Sequence, residues 1–155
     1  MEKIVKTARQ LVEKTGRHVV SVAPDETVMT VLQAMADRDV NGVLVIDKGQ
    51  LVGIVTERDY ALKVELKGRT AKDTRAQEIM TQDVICASAD DSCERCMEVM
   101  HKEWVRHLPV IEQGKVIGML FLRDVLKEVV AEDEHLIMDL ERERIESGGN
   151  TGGSY

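Results

Sequence analysis

Apolar positions along the chain fall into two alternating rhythms. Val28, Val31, Leu32 and Met35 recur at helical spacing, and Cys93, Cys96, Met97 and Met100 do the same further on. Each of these predicted helices is followed by a pair of short apolar runs. Val43 to Ile46 and Leu51 to Val55 form the first pair, Leu108 to Ile111 and Val116 to Leu120 the second. Both pairs read as strands joined by a tight turn, at Lys48-Gly49 and at Gln113-Gly114. Ahead of each helix lies a further β-rich run, His18 to Val22 or Val84 to Ala87, then Asp25 or Asp90, an acidic residue placed to cap the helix. A second helix is predicted to begin near Thr56 and, in the later copy, near Leu122.

The two halves are one unit used twice. An offset of 65 lays residues 19–59 on 84–124 without a gap, with ten identities in 41 positions. GIVTERDY at 53–60 becomes GMLFLRDV at 118–125, so Arg58-Asp59 recurs as Arg123-Asp124 while Thr56 becomes Phe121. Upstream of each unit, Thr7 to Gln10 and Thr74 to Gln77 share the capping-box form that opens a helix, at a spacing of 67. The expected order is an N-terminal helix (1–17), a first repeat (18–67), a linker with a short helix (68–82), a second repeat (83–130), a C-terminal helix (131–146) and a disordered Gly/Ser-rich tail (147–155).

Composition narrows what such a unit can do. The chain has 155 residues, is 43% hydrophobic but only 3% aromatic, and carries a net charge of −7. Its core must therefore be built from aliphatic side chains, and its acidity argues against nucleic acid as a partner, since that binding rests on clustered Lys and Arg. No run is long and apolar enough to span a bilayer, and the start MEKIVKTARQ lacks a secretory apolar region. The expectation is a cytoplasmic protein with no membrane contact and with free thiols at Cys86, Cys93 and Cys96. Cys93-Glu-Arg-Cys96 has the spacing of a redox pair, but these cysteines align with Val28 and Val31, which marks them as small core residues. No metal site is expected, because no second ligand pair has suitable spacing.

The duplicated β-α-β-β-α order, Gly-apolar-apolar-Thr-x-x-Asp closing the first copy and Arg106-His-Leu-Pro-Val110 in the second together resemble the cystathionine-β-synthase (CBS) domain pair, or Bateman module, most of all its stand-alone prokaryotic form. The match spans about residues 7–130. The resemblance implies an α/β (α+β) fold, with two tandem CBS repeats in a pseudo-two-fold pair plus a C-terminal helix. It also implies adenosine-nucleotide binding in the cleft between repeats and a disc-shaped homodimer. Carried over by position, one site would use Thr56, Arg58 and Asp59 with Ile85, Ala87, Arg106, His107 and Pro109. A second, weaker site would use Arg123 and Asp124 with Val20, Val22 and Val43.

The residues themselves allow two readings of the first site. Thr56 and Asp59 have the spacing of a capping box and need no ligand for that. Alternatively the helix start offers N–H groups and positive dipole to an anion, Arg58 adds charge, and Asp59 accepts from ribose hydroxyls. Phe121 cannot cap through its side chain, yet Asp124 is retained, so a capping pair does not account for the second carboxylate, although complementarity with the helix dipole still could. Arg106 and His107 could neutralise a phosphate, His107 when protonated. Pro109 argues against a continuous central strand through Leu108 to Val110. The methionines read as core filler and Trp104 as either a dimer contact or a core residue.

The leading expectation is a regulatory module without catalysis or an obligatory cofactor, binding AMP, ADP, ATP or a related adenosine compound and signalling to a regulated protein. The alternative is a ligand-free dimeric scaffold. A thiol-redox enzyme is the third reading.

Overall fold

The computed structural model of the protein describes residues 5–16, 19–132 and 140–143. Helix α1 (Ala8–Thr15) is followed by β1 (Ser21–Val22), α2 (Val28–Arg38), β2 (Gly42–Asp47), β3 (Gln50–Thr56) and α3 (Glu57–Tyr60). A π-helical turn (Ala61–Glu65) and α4 (Ala76–Ile79) complete the first half; β4 (Ala87–Ser88), α5 (Cys93–Glu103), β5 (His107–Glu112), β6 (Lys115–Phe121) and α6 (Leu122–Glu132) form the second. This is the mixed α/β architecture of a tandem repeat, with two three-stranded sheets. In each sheet the middle strand lies parallel to the short first strand and antiparallel to the third, in the orders β1-β2-β3 and β4-β5-β6.

The hairpins form where the pattern predicts them. Lys48-Gly49 and Gln113-Gly114 all have positive φ, between 50° and 81°, the two-residue geometry whose twist matches that of the flanking strands. Each hairpin carries a bulge at the same place, after Val45 and after Val110. The apolar faces then close over one another. In the first unit Val28, Val31 and Met35 of α2 pack with Val43, Val45 and Val55 of the sheet and with Ala76 and Ile79 of α4. Burying each Val or Ile side chain contributes about 1.5–3 kcal/mol, so these aliphatic residues supply the core that the scarce aromatics do not.

The chain divides into two compact units that do not follow sequence order. Residues 19–84 form one, whereas α1 belongs with the residues from 85 onwards. Each sheet is thus covered by the helix that precedes the other repeat's position in the chain. In the second unit Ala8 and Arg9 donate backbone hydrogen bonds to Asp91 and Ala89, and Cys93 donates to Lys6. In the first unit Ala76 and Gln77 donate to Glu26 and Pro24, and Val28 donates to Thr74, the same three bonds in the same places.

Several local expectations are corrected. Those bonds equate Ala8 with Ala76, a spacing of 68, so Thr7 corresponds to Arg75. Thr7 and Gln10 do form a capping box. Thr74, by contrast, does not cap: α4 begins after Arg75, whose N–H donates to Glu78 at 2.6 Å, and the Thr74 hydroxyl donates to the Thr70 carbonyl. Asp25 and Asp90 do not cap α2 and α5 either. Thr27 and Ser92, two residues on, have extended backbone adjoining the first turn and accept from Thr30 and Arg95.

Pro109, expected to break the central strand, lies inside it and pairs with Met119. The equivalent Leu44 donates its N–H to Val20 on the β1 side. Proline lacks that donor, and the β4–β5 ladder begins only at Ala87 and Val110. The strand tolerates the ring because its missing N–H faces the side where pairing has not yet started. The C-terminal helix and tail, including Leu136, Ile137 and the residues 147–155, lie outside the described residues, apart from helical residues 140–143.

Candidate functional site

In the first unit the closing phrase of the repeat folds into a complete capping box. The Thr56 backbone N–H donates to Asp59 Oδ2 at 2.9 Å, the Thr56 hydroxyl lies 3.2 Å from the same oxygen, and the Asp59 N–H donates back to Thr56 Oγ1 at 3.3 Å. The opposite carboxylate oxygen, Oδ1, takes the Lys63 ammonium at 2.8 Å and faces the Thr81 hydroxyl at 3.4 Å. Asp59 is only 5% exposed. A carboxylate buried to that degree must have its charge answered by donors, and here four groups do so.

The helix start is also satisfied from within. Glu57 N–H donates to the Asn41 carbonyl at 3.2 Å, and in the second unit Leu122 N–H donates to the Arg106 carbonyl at 3.0 Å. The residue ahead of each middle strand therefore receives the first N–H of the following helix. Two N–H groups at the start of the four-residue α3 are thereby taken up, that of Glu57 by the Asn41 carbonyl and that of Asp59 by Thr56 Oγ1. Arg58 is exposed beside this cap.

The second unit holds the remaining predicted residues. Ala87 starts β4 and is buried, Ile85 is half-buried ahead of it, and Arg106 is exposed just before β5. His107 and Pro109 are buried within β5. His107 does not act as a second cation near neutral pH: burial, followed by the charge of Arg106, lowers its pKa from 6.5 to about 4. Its ring instead meets the edge of Phe121 on the facing strand, with centroids 5.2 Å apart. The Thr-to-Phe exchange between repeats thus replaces a hydroxyl with an aromatic partner for a buried imidazole. Asp124 is buried at the same register as Asp59, with Arg123 exposed beside it.

Val20 is half-buried, and Val22 and Val43 are buried, all in the first unit. Thr56, Arg58, Asp59, Val20, Val22 and Val43 thus lie in the first unit, and Ile85, Ala87, Arg106, His107, Pro109, Arg123 and Asp124 in the second. Sequence reasoning missed Lys63 and Thr81. The spacing of Asp59 and Lys63, four residues along a helix, was a visible signal for the first; Thr81 is brought in only by its antiparallel bridge with Ile54.

The thiols behave as core. Cys93 and Cys96 are 0% and 1% exposed, and burial pushes the Cys96 thiol up to about 12. A thiolate at Cys96 is thereby disfavoured at neutral pH. Among the described residues no group of His, Cys, Asp and Glu could hold a metal ion, and no helix is long and apolar enough to cross a membrane.

Comparison with known proteins agrees with the repeat. A family model described as the CBS domain matches twice, over residues 9–65 and 76–131. The chain is 35% identical over 113 residues to the CBS domain-containing protein CBSX3, mitochondrial, of Arabidopsis thaliana, covering 70% of this chain and 55% of that protein. It is also 35% identical over 125 residues to an inosine-5′-monophosphate dehydrogenase of Methanocaldococcus jannaschii, covering 79% of this chain but only 24% of the dehydrogenase. The chain spans about half the length of the first relative and about a quarter of the second. A solved signal-transduction protein with CBS domains, described as putative, from Burkholderia ambifaria superposes with a TM-score of 0.75 at 37% identity, covering 83% of this chain and 96% of that one. With the domain matched at both repeats and the fold shared along most of its length, this chain belongs to the CBS-domain proteins and carries the domain as a tandem pair.

Proposed function

We propose that the protein is a non-catalytic regulatory module that binds an adenosine nucleotide or related adenosine compound and passes its occupancy on to a regulated protein. The observation that carries this reading is the second buried carboxylate. Asp124 is 9% exposed at the position of Asp59, although Phe121 leaves it no capping hydroxyl. A carboxylate held under cover at the same register of both repeats places the same acceptor beside each repeat's closing helix. A ribose presents two vicinal hydroxyl donors, the complement of a buried carboxylate. The fold is shared with a CBS domain pair solved in complex with 5′-methylthioadenosine and S-adenosyl-L-methionine, at 20% identity.

In this reading Asp59 and Asp124 hold ribose, while Arg58, Arg106 and Arg123, all exposed, are available to phosphate. The half-buried Ile85 and Val20 supply apolar surface for the base, and the buried Ala87, Pro109, Val22 and Val43 shape the strands beneath it. The test is calorimetry with AMP, ADP and ATP on wild type, Asp59→Ala and Asp124→Ala. Charge-assisted hydrogen bonds of this kind contribute about 1.5–3 kcal/mol, so either substitution at an occupied site weakens binding by about ten-fold or more. Unchanged affinity in both variants, or no binding by wild type at millimolar nucleotide, returns the protein to the scaffold reading. One observation favours that second reading: the capping box and Lys63 already satisfy Asp59 without a ligand.

A further inference from the structure

Asp59 has no acceptor direction to spare. An ionised carboxylate offers about four lone-pair positions. At Oδ2 these are met by the N–H and hydroxyl of Thr56, and at Oδ1 by Lys63 Nζ and the Thr81 hydroxyl. A vicinal diol brings two donors and must displace two that are present. The Thr56 N–H is held by the backbone of the cap and cannot leave. The two hydroxyls can rotate to other acceptors, which is a small rearrangement. Lys63 is the charged competitor, bound at 2.8 Å with the strength of a charge-assisted contact.

Lys63 is also the donor built to move. Its side chain is 43% exposed, so its ammonium can withdraw into water by rotating a flexible stem. It reaches Asp59 because helical side chains lean toward the N-terminus, which brings position i+4 over position i. Its other contact is the Ile79 carbonyl at 2.9 Å, the last residue of α4. Lys63 therefore joins the carboxylate to the segment that also contributes Thr81. That segment stays anchored without Lys63, because Thr81 and Ile54 exchange both backbone hydrogen bonds, at 2.8 and 3.0 Å. The arrangement is particular to the first repeat: the residue at the same register in the second is Glu128, a carboxylate, which is paired instead with Lys6 and Lys14.

We propose that Lys63 is an internal counter-ion that competes with the diol of an incoming nucleoside for Asp59, so that the first repeat binds by exchange and Lys63 sets its affinity. This rests on the adenosine reading above and deepens it. The consequence is an inverted mutational effect, in which loss of a basic residue at the site strengthens binding.

Adenosine is the suitable probe, since it carries the diol and no phosphate that Lys63 could otherwise attract. Calorimetry compares wild type, Lys63→Met and Lys63→Arg with adenosine and with 2′,3′-dideoxyadenosine; Lys63→Gln carries the test if the Met variant does not fold. The expected result is about five-fold tighter adenosine binding by Lys63→Met, from removal of a partly exposed ion pair, with Lys63→Arg close to wild type and no gain for the dideoxy compound. Wild-type binding that Lys63→Met leaves equal or weakens overturns the exchange while leaving the adenosine reading in place. A gain of the same size for dideoxyadenosine overturns it as well, because that ligand has no diol to compete. Absence of adenosine binding by every protein overturns the adenosine reading, and the exchange falls with it.

Discussion

His107 shows how a single buried group ties stability to pH. Its imidazole is 4% exposed and stays neutral down to about pH 4, whereas in the unfolded chain it takes up a proton near 6.5. The unfolded state thus binds more protons between those values. This contribution to stability is fully present above about pH 6.5 and is lost progressively as pH falls toward 4, by on the order of 3 kcal/mol. Urea titrations at stepwise pH should show the midpoint falling across this window in wild type and a flatter profile in His107→Phe, which keeps an aromatic contact to Phe121. An identical slope in the two proteins would assign the acid sensitivity elsewhere. Two glycines make a second residue-scale point. A Cβ on Gly53 would meet Met80 Sδ at 2.6 Å, and one on Gly118 would run into both methyls of Val12. Met80 can swing its Sδ and Cγ aside, though not its Cβ at 2.9 Å, whereas β-branched Val12 cannot withdraw its methyls. Gly118→Ala should accordingly destabilise by about 1–3 kcal/mol and Gly53→Ala by less, read from denaturant midpoints.

Among the elements, α1 is the most instructive. It is a short helix, marginal alone, and it is held by charge as well as by Ala8 and Leu11. Arg9 bridges Glu112 and Asp90, and Lys6 and Lys14 both reach the buried Glu128 of α6, at 2.7 and 2.9 Å. Those two bonds hold the Glu128 carboxyl below its ordinary value. A lowered carboxylate contributes stability at neutral pH that is lost as pH falls through its folded value, so the docking of α1 weakens in acid. Removing residues 1–15 should therefore expose the second unit, although the deletion abuts the first repeat in sequence. Hydrogen exchange should rise in β5 and β6 and stay near wild type in β2 and β3. Faster exchange confined to β2 and β3 would contradict the pairing of α1 with the second unit.

For the molecule as a whole, the unsatisfied quantity is apolar surface. Met29, Leu62 and Leu66 remain 41%, 40% and 72% exposed in the first unit, and Val130 is 43% exposed in the second. A small apolar pocket also lies among Met97, His101, Leu122, Leu126 and Leu140. Scattered exposed residues are ordinary on a protein surface, but in paired small units they favour self-association. The expected outcome in sedimentation is a homodimer at micromolar concentration, dissociated by Leu66→Glu combined with Val130→Glu. A wild-type monomer under those conditions would speak for apolar surface left to a different partner. A net charge of −7 keeps such a surface from indiscriminate aggregation.

Period and repetition were enough to read the strands, the hairpin turns, the amphipathic helices and the tandem family, because each is a local pattern that the second copy checks against the first. The buried cysteines were legible for the same reason, by alignment with Val28 and Val31. What the linear pattern could not carry was partnership across distance. Whether Asp59 is capped, latched or open depends on Lys63 and Thr81, and Thr81 reaches it only through the bridge to Ile54. The capping residues were displaced from Asp25 and Asp90 to Thr27 and Ser92 because backbone geometry, and not acidity, selects the cap. Pro109 sits within a middle strand because the neighbouring ladder starts one residue later. Above all, tertiary packing decided that α1 serves the second sheet and α4 the first, since apolar faces are covered by whatever helix fits them and chain order does not enter that energy.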